Sequence, residues 1–192
     1  MKKIILASKS PRRSELLRQI GLDFEVFTSE VDENIEVQSP EKLVMQLSRL
    51  KAVAVYEEYN LKEENLMVIG ADTVVALNGQ ILGKPRDEKH AKEMLMTLSD
   101  NEHEVLTGVT IVTTNDGKPV IETFYEKTIV YTYPITENEI NDYIMSREPM
   151  DKAGSYGIQG IGARFIKKID GDYNNVVGLP ISQIYQKIKE MQ

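Results

Sequence analysis

Apolar positions along this chain alternate between continuous runs suited to strands and the three-and-four spacing of helices. The run Ile4-Ile5-Leu6-Ala7 predicts a buried strand over Lys3–Ser8, followed by a helix over Pro11–Ile20 that Gly21 stops. A second strand is expected at Phe24–Thr28, then a polar acidic loop from Ser29 to Glu33. Ser39-Pro40-Glu41-Lys42 carries cap and first-turn proline signals and opens a long helix to about Tyr59. Leu66–Leu77 is an apolar, β-branched run, and Asn78-Gly79 is a strong hairpin signal leading into Gln80–Gly83. Ala91, Met94, Leu95 and Leu98 recur at helical spacing within Asp87–Leu98.

Two long Thr-, Val-, Ile- and Tyr-rich stretches, Glu104–Thr114 and Pro119–Tyr133, predict a hairpin through the turn Asn115-Asp116-Gly117. Tyr125, Tyr131 and Tyr133, at two-residue spacing, are read as sheet packing. Thr136 and Glu139 form a capping-box pattern for a helix to about Ser146, before Pro149. Gly154–Gly162 is too glycine-rich for a regular element. Arg164–Ile169 reads as a strand and Asp170-Gly171 as a turn. The last helix, Pro180–Met191, should turn Ile181, Ile184, Tyr185 and Ile188 inward. Strands and helices alternate early and hairpins dominate the middle, which together predict an α/β fold with a mixed sheet and flanking helices.

Composition removes several function classes. With 28% charged and 41% hydrophobic residues the chain is globular rather than disordered. The net charge of −7 argues against nucleic acid as a partner, because sequence-independent binding needs a basic face. Cysteine is absent, which excludes disulfides and thiolate metal sites. The start imitates a signal peptide, but Lys9, Arg12 and Arg13 interrupt it, and no apolar run is long enough to span a membrane. A cytoplasmic protein without membrane contact is expected.

Several charges stand in places that need explaining. Ser10 and Pro11 have the side chains of an N-cap and a first helical residue, yet Arg12 and Arg13 are the wrong sign for that helix end. Each is unfavourable there by roughly 0.3–1 kcal/mol. A bound anion would reverse the argument, since helix N–H groups and two guanidinium forks would converge on it. The plain alternative is two solvated arginines. Lys51 falls inside the apolar arc of its helix, whose inward stripe is read as Leu43, Leu47, Leu50 and Ala54 with Val44 and Val55 flanking; Arg49 points outward. Such a lysine either snorkels to the rim or faces something negative.

Asp72 interrupts the run Val68 to Val75, where an ionised carboxylate is costly unless paired or bound to a cation. Gly70 and Ala71 before it leave room for a ligand or another backbone. Lys84, just past the hairpin, could bring a cation beside Asp72. The sequence Gly79 to Pro85 is not a P-loop: it has one residue too few between glycines and proline in place of the Mg²⁺-binding hydroxyl residue. Glu30, Asp32 and Glu33 are either solvated loop surface or a source of a second oxygen ligand for a cation at Asp72. Tyr156 and Gln159 would offer a stacking face and a two-way amide to a nucleobase, or else belong to an ordinary loop. His90 and His103 carry no assigned role.

Taken together, Ser8, Ser10-Pro11-Arg12-Arg13, Glu33, Lys51, Gly70-Ala71-Asp72-Thr73, Gly83-Lys84-Pro85 and the stretch Lys152 to Gly160 resemble the Maf family of nucleoside triphosphate pyrophosphatases. The resemblance runs from about Ile4 to Pro180 and includes Lys168 to Tyr173 and Val177-Gly178-Leu179-Pro180. Ser155 stands where alanine is more usual, and the charged positions show no departure. The resemblance implies one domain over residues 1–192, with an elongated, two-lobed fold like inosine triphosphatase and the active site in a central cleft. It implies hydrolysis of a nucleoside triphosphate to monophosphate and pyrophosphate with Mg²⁺ or Mn²⁺, and commonly a homodimer. Arg12, Thr73 and Gln159 resemble the branch that prefers dTTP, UTP and modified pyrimidine nucleotides.

On that reading Arg12, Arg13, Lys51 and Lys84 hold the phosphate chain and Ser8 donates a hydrogen bond. Glu33 and Asp72 hold the metal, and Asp72 takes the proton of the attacking water. Two further readings stand beside it: a regulator of cell division that binds nucleotide or nucleic acid through the same cleft without needing Asp72 and Glu33, and a nucleotidyl- or phosphotransferase.

Overall fold

The computed structural model describes residues 2–33, 35, 39–60, 65–115 and 117–191. The elements follow the order β1 (Lys3–Ala7), α1 (Pro11–Gln19), β2 (Glu25–Val26), α2 (Pro40–Asn60), β3 (Leu66–Leu77), β4 (Gln80–Leu82) and α3 (Glu88–Leu98). They continue with β5 (Glu102–Asn115), β6 (Lys118–Thr132), α4 (Glu137–Met145), three 3₁₀ turns, β7 (Ile166–Asp170), α5 (Tyr173–Val177) and α6 (Ile181–Glu190). Among the described residues seven strands form one mixed sheet in the order β2-β1-β3-β5-β6-β7, with β4 paired to β3. The predicted α/β class with a mixed sheet is what forms. The turn between β5 and β6 passes through Asp116, which lies outside the described residues.

The chain divides into two compact units. The first holds residues 1–72, 107–126 and 178–192, and the second holds 73–106 and 127–177. In the first, β1 runs parallel to both β2 and β3, with Lys3 opposite Leu66 and Ala7 opposite Gly70. Continuous apolar runs suit such a doubly covered position, and Ile5, Leu6, Leu66, Val68 and Ile69 are all fully buried. Helix α2 packs here through Ala52, Val55 and Tyr56. Its buried stripe is Val44, Leu47, Ser48, Ala52, Val55 and Tyr56, rotated from the predicted one, so that Leu50 is 40% exposed.

Two glycines allow this close approach. A Cβ at Gly70 would lie 2.5 Å from the Ser48 carbonyl oxygen and 2.8 Å from the Ala52 Cβ. A Cβ at Gly108 would lie 2.2 Å from the Val44 carbonyl oxygen. The room expected beside Asp72 is therefore taken by the backbone of α2. Ser48 also reaches the sheet, its hydroxyl 3.0 Å from that of Thr110.

In the second unit α3 and α4 cover a core of Leu95, Leu98, Val105, Val130, Ile140, Tyr143, Tyr156 and Phe165. The predicted capping box of Thr136 and Glu139 forms complete, and Asp87, read in the sequence only as the start of its helix, caps α3 by accepting from the His90 N–H. Several local expectations are corrected. The second strand contracts to Glu25–Val26, both exposed, because it sits at the sheet edge with little to bury. Strand β7 starts at Ile166, since Arg164 still belongs to the 3₁₀ turn Gly160–Phe165. Tyr125, Tyr133 and Tyr185 are exposed rather than packed inward, and Lys168 lies over the Tyr131 ring at 5.3 Å.

Candidate active site

Helix α2 delivers Lys51 and strand β3 delivers Asp72, and the two side chains meet. Lys51 Nζ lies 2.6 Å from Asp72 Oδ1 and 3.2 Å from Glu33 Oε1. The Lys51 and Asp72 side chains are only 17% and 15% exposed, whereas Glu33 is 56% exposed. The buried lysine thus does not snorkel. Its ammonium sits between two negative carboxylates, one held in the sheet and one on the loop. Within β3 every residue is buried except Asp72 and Thr73.

Ser8, just past β1, and Arg13, in the first turn of α1, complete this cluster. The Ala7–Gly70 register sets the carboxyl end of β1 beside the middle of β3, two residues before Asp72. Arg13 NH1 donates to Ser8 Oγ at 3.1 Å and to the Ala71 carbonyl at 2.9 Å, while its Nε donates to the Gly178 carbonyl at 2.9 Å. Burial lowers the Arg13 pKa, and the charge of Arg12 acts in the same direction. Asp72 and Glu33 oppose them. Arg13 is consequently a brace that joins α1, β3 and the turn before α6. Ser10 makes no side-chain cap on α1; its own N–H is instead bound by Ser8 Oγ at 3.3 Å.

The structure therefore gathers Ser8, Arg13, Glu33, Lys51 and Asp72 in the first unit, with Arg12 on the first turn of α1. Thr73 is the next residue on β3. Lys84, exposed after β4, and Gln159, exposed on the glycine-rich loop, belong to the second unit. Tyr156 is not a stacking face. It is buried, its hydroxyl lies 2.7 Å from His103 Nε2, and its ring meets the His103 ring edge-on. The sequence assigned His103 no role; in the structure it is a core residue.

Two carboxylates converging on one ammonium form an oxygen donor set that suits Mg²⁺ or Mn²⁺, which commonly take one or two carboxylates and complete their shell with phosphate and water. Among the described residues no group of three or more His, Cys, Asp or Glu side chains could hold a metal by itself. A cation bound with a phosphate ligand fits Glu33 and Asp72.

Residues 3–191 match the family described as Maf-like protein. The chain belongs to the Maf family. It is 50% identical over 99% of its length to a dTTP/UTP pyrophosphatase of Lachnoclostridium phytofermentans, of which it covers 95%. A dTTP/UTP pyrophosphatase of Agathobacter rectalis is 51% identical over all of this chain and 98% of its own. One from Bacillus cereus is 52% identical over 99% of this chain and 90% of its own. The Maf match thus spans β1 to α6 and includes every residue of the cluster.

Proposed function

We propose that this Maf-family chain hydrolyses dTTP and UTP, and modified pyrimidine nucleotides of the same kind, to the monophosphate and pyrophosphate. The observation that carries the reading is the Glu33–Lys51–Asp72 cluster beside the point where the parallel β1–β3 pairing ends, in a chain half identical to dTTP/UTP pyrophosphatases. Breaking the α–β phosphoanhydride requires a positioned water and stabilisation of charge on the leaving pyrophosphate.

Arg12, Lys51 and Lys84 supply positive charge to the phosphates, and Arg13 adds its own while bracing α1. Ser8 Oγ already accepts from Arg13 and from the Ser10 N–H, so its hydroxyl proton is what it has left to donate to a phosphate oxygen. Lys51 holds Asp72 by Oδ1, which leaves Oδ2 to take the proton of the attacking water. Mg²⁺ or Mn²⁺, held by Glu33 and Asp72, would neutralise phosphate charge when bound. Thr73 and Gln159 contact the base. No helix among the described residues is long and apolar enough to cross a membrane. A homodimer working on the cytoplasmic nucleotide pool is the form we assign.

The test is a panel of dTTP, UTP, dATP and GTP with Mg²⁺ and chromatographic identification of products. Pyrophosphate should appear selectively from the pyrimidine pair. Release of orthophosphate, or equal turnover of the purines, would overturn the reading.

A further inference from the structure

Gln159 lies on a loop that one carboxylate fixes from behind. Glu148 Oε1 accepts from the Tyr143 hydroxyl at 2.9 Å and from the Gly162 N–H at 3.0 Å, and its Oε2 accepts from the Ile161 N–H at 2.9 Å. The Tyr143 hydroxyl in turn accepts from the Gly157 N–H at 3.2 Å. These anchors fall on both sides of Gln159 in the chain. Tyr143 is fully buried on α4 and packs edge-on to Phe165 at 5.3 Å, so the anchor belongs to the core.

The loop is built around this group. Gly160 adopts φ +73°, and a Cβ there would lie 2.6 Å from Glu148 Oε2. A Cβ at Gly162 would lie 2.6 Å from both the Tyr143 hydroxyl and the Gly157 carbonyl oxygen. Burial alone would raise the Glu148 pKa, but the Ile161 and Gly162 N–H groups and the Tyr143 hydroxyl bring it below the ordinary glutamate value. Glu148 therefore remains an acceptor at neutral pH.

We propose that Glu148, clamped to Tyr143, is a positioning residue that sets pyrimidine selectivity by fixing the loop that presents Gln159. The inference rests on the reading that Gln159 meets the nucleobase. Thymine and uracil share an N3–H donor flanked by carbonyl acceptors, an edge that cytosine lacks. A glutamine amide tells these edges apart only when its donor and acceptor are held in place, because discrimination comes from the buried polar group left unpaired by the wrong base. Glu148→Gln would set an amide donor against a backbone donor and release the loop.

Steady-state kinetics with dTTP and dCTP test this in four variants: Glu148→Gln, Tyr143→Phe, Gln159→Ala and the Glu148→Gln/Gln159→Ala pair. Glu148→Gln should raise KM for dTTP by more than it lowers kcat. The dTTP-to-dCTP ratio of kcat/KM should narrow by about tenfold. Tyr143→Phe should move the ratio the same way by less, and it carries the test if Glu148→Gln does not fold. The pair should narrow the ratio no further than Gln159→Ala alone, since both act through one group. A Glu148→Gln enzyme that loses kcat/KM equally for both nucleotides would overturn the inference, as would an additive pair. If Gln159→Ala keeps the ratio, the assignment of Gln159 fails and takes this inference with it. If Gln159→Ala loses the ratio and Glu148→Gln keeps it, only the role of Glu148 fails.

Discussion

Gly70 lies so close under helix α2 that a Cβ on it would come within 2.5 Å of the Ser48 carbonyl oxygen. Three residues further along α2 is Lys51, and two residues further along β3 is Asp72. The close approach of helix and strand is what brings their charges together. Gly70→Ala should therefore cost about 1–3 kcal/mol by overpacking, and Gly70→Val more. Thermal melting checks the first effect. Turnover of dTTP should fall with it, because any outward shift of α2 carries Lys51 away from Asp72; unchanged melting would show that the contact is looser than described.

Asp72→Asn should abolish pyrophosphate release while circular dichroism and melting stay near those of the parent. The amide keeps the size of the carboxylate but takes no proton. Lys51→Met should lower turnover by about a hundredfold, a loss typical of removing one fixed charge-stabilising group. Chelation of divalent metal by EDTA should stop product release in the parent, with activity restored by added Mg²⁺ or Mn²⁺.

Arg13→Lys is expected to behave as a damaging change despite its conserved charge. The guanidinium reaches the Gly178 and Ala71 carbonyls and Ser8 Oγ through two of its nitrogens, and an ammonium cannot reproduce that fork. Loss of these bonds should lower stability by about 2 kcal/mol and reduce turnover as well. Calorimetry and dTTP kinetics together read both; a Lys variant indistinguishable from the parent would show that only the charge matters.

His103 makes stability depend on pH. It is 2% exposed, and burial lowers its pKa from 6.5 to about 4. Among the described residues its Nδ1 has no hydrogen-bond partner, so protonation would place an unpaired N–H in the core. Between these two values the unfolded chain binds the proton and the folded chain does not, so stability falls as pH drops from about 6.5 to 4 and levels off below. At about 1.4 kcal/mol per pKa unit this amounts to about 3 kcal/mol. Melting temperature against pH should show the slope, and His103→Gln should flatten it.

Much of this molecule is written in short stretches of chain. Leu66–Leu77 was readable as a strand from its β-branched run, and Thr136 as a cap from Glu139 three residues on, because those signals act over one turn or one strand. Lys51 and Asp72 were conspicuous for the same reason: each breaks a local apolar pattern. Helix α5 was not readable, since Tyr173–Val177 has no periodicity and is held by distant groups. Its Asn175 amide donates to the Val105 carbonyl and to Thr128 Oγ1.

Tertiary structure alone decided the partners. It set Lys51 between Asp72 and Glu33, rotated the buried stripe of α2 until Leu50 faced out, drew Tyr156 into the core against His103, and gave Glu148 to the loop of Gln159. Periodicity specifies which face of an element is apolar to within a fraction of a turn. Which atoms that face meets depends on how closely backbones approach, and at α2 that distance was set by glycines on other strands.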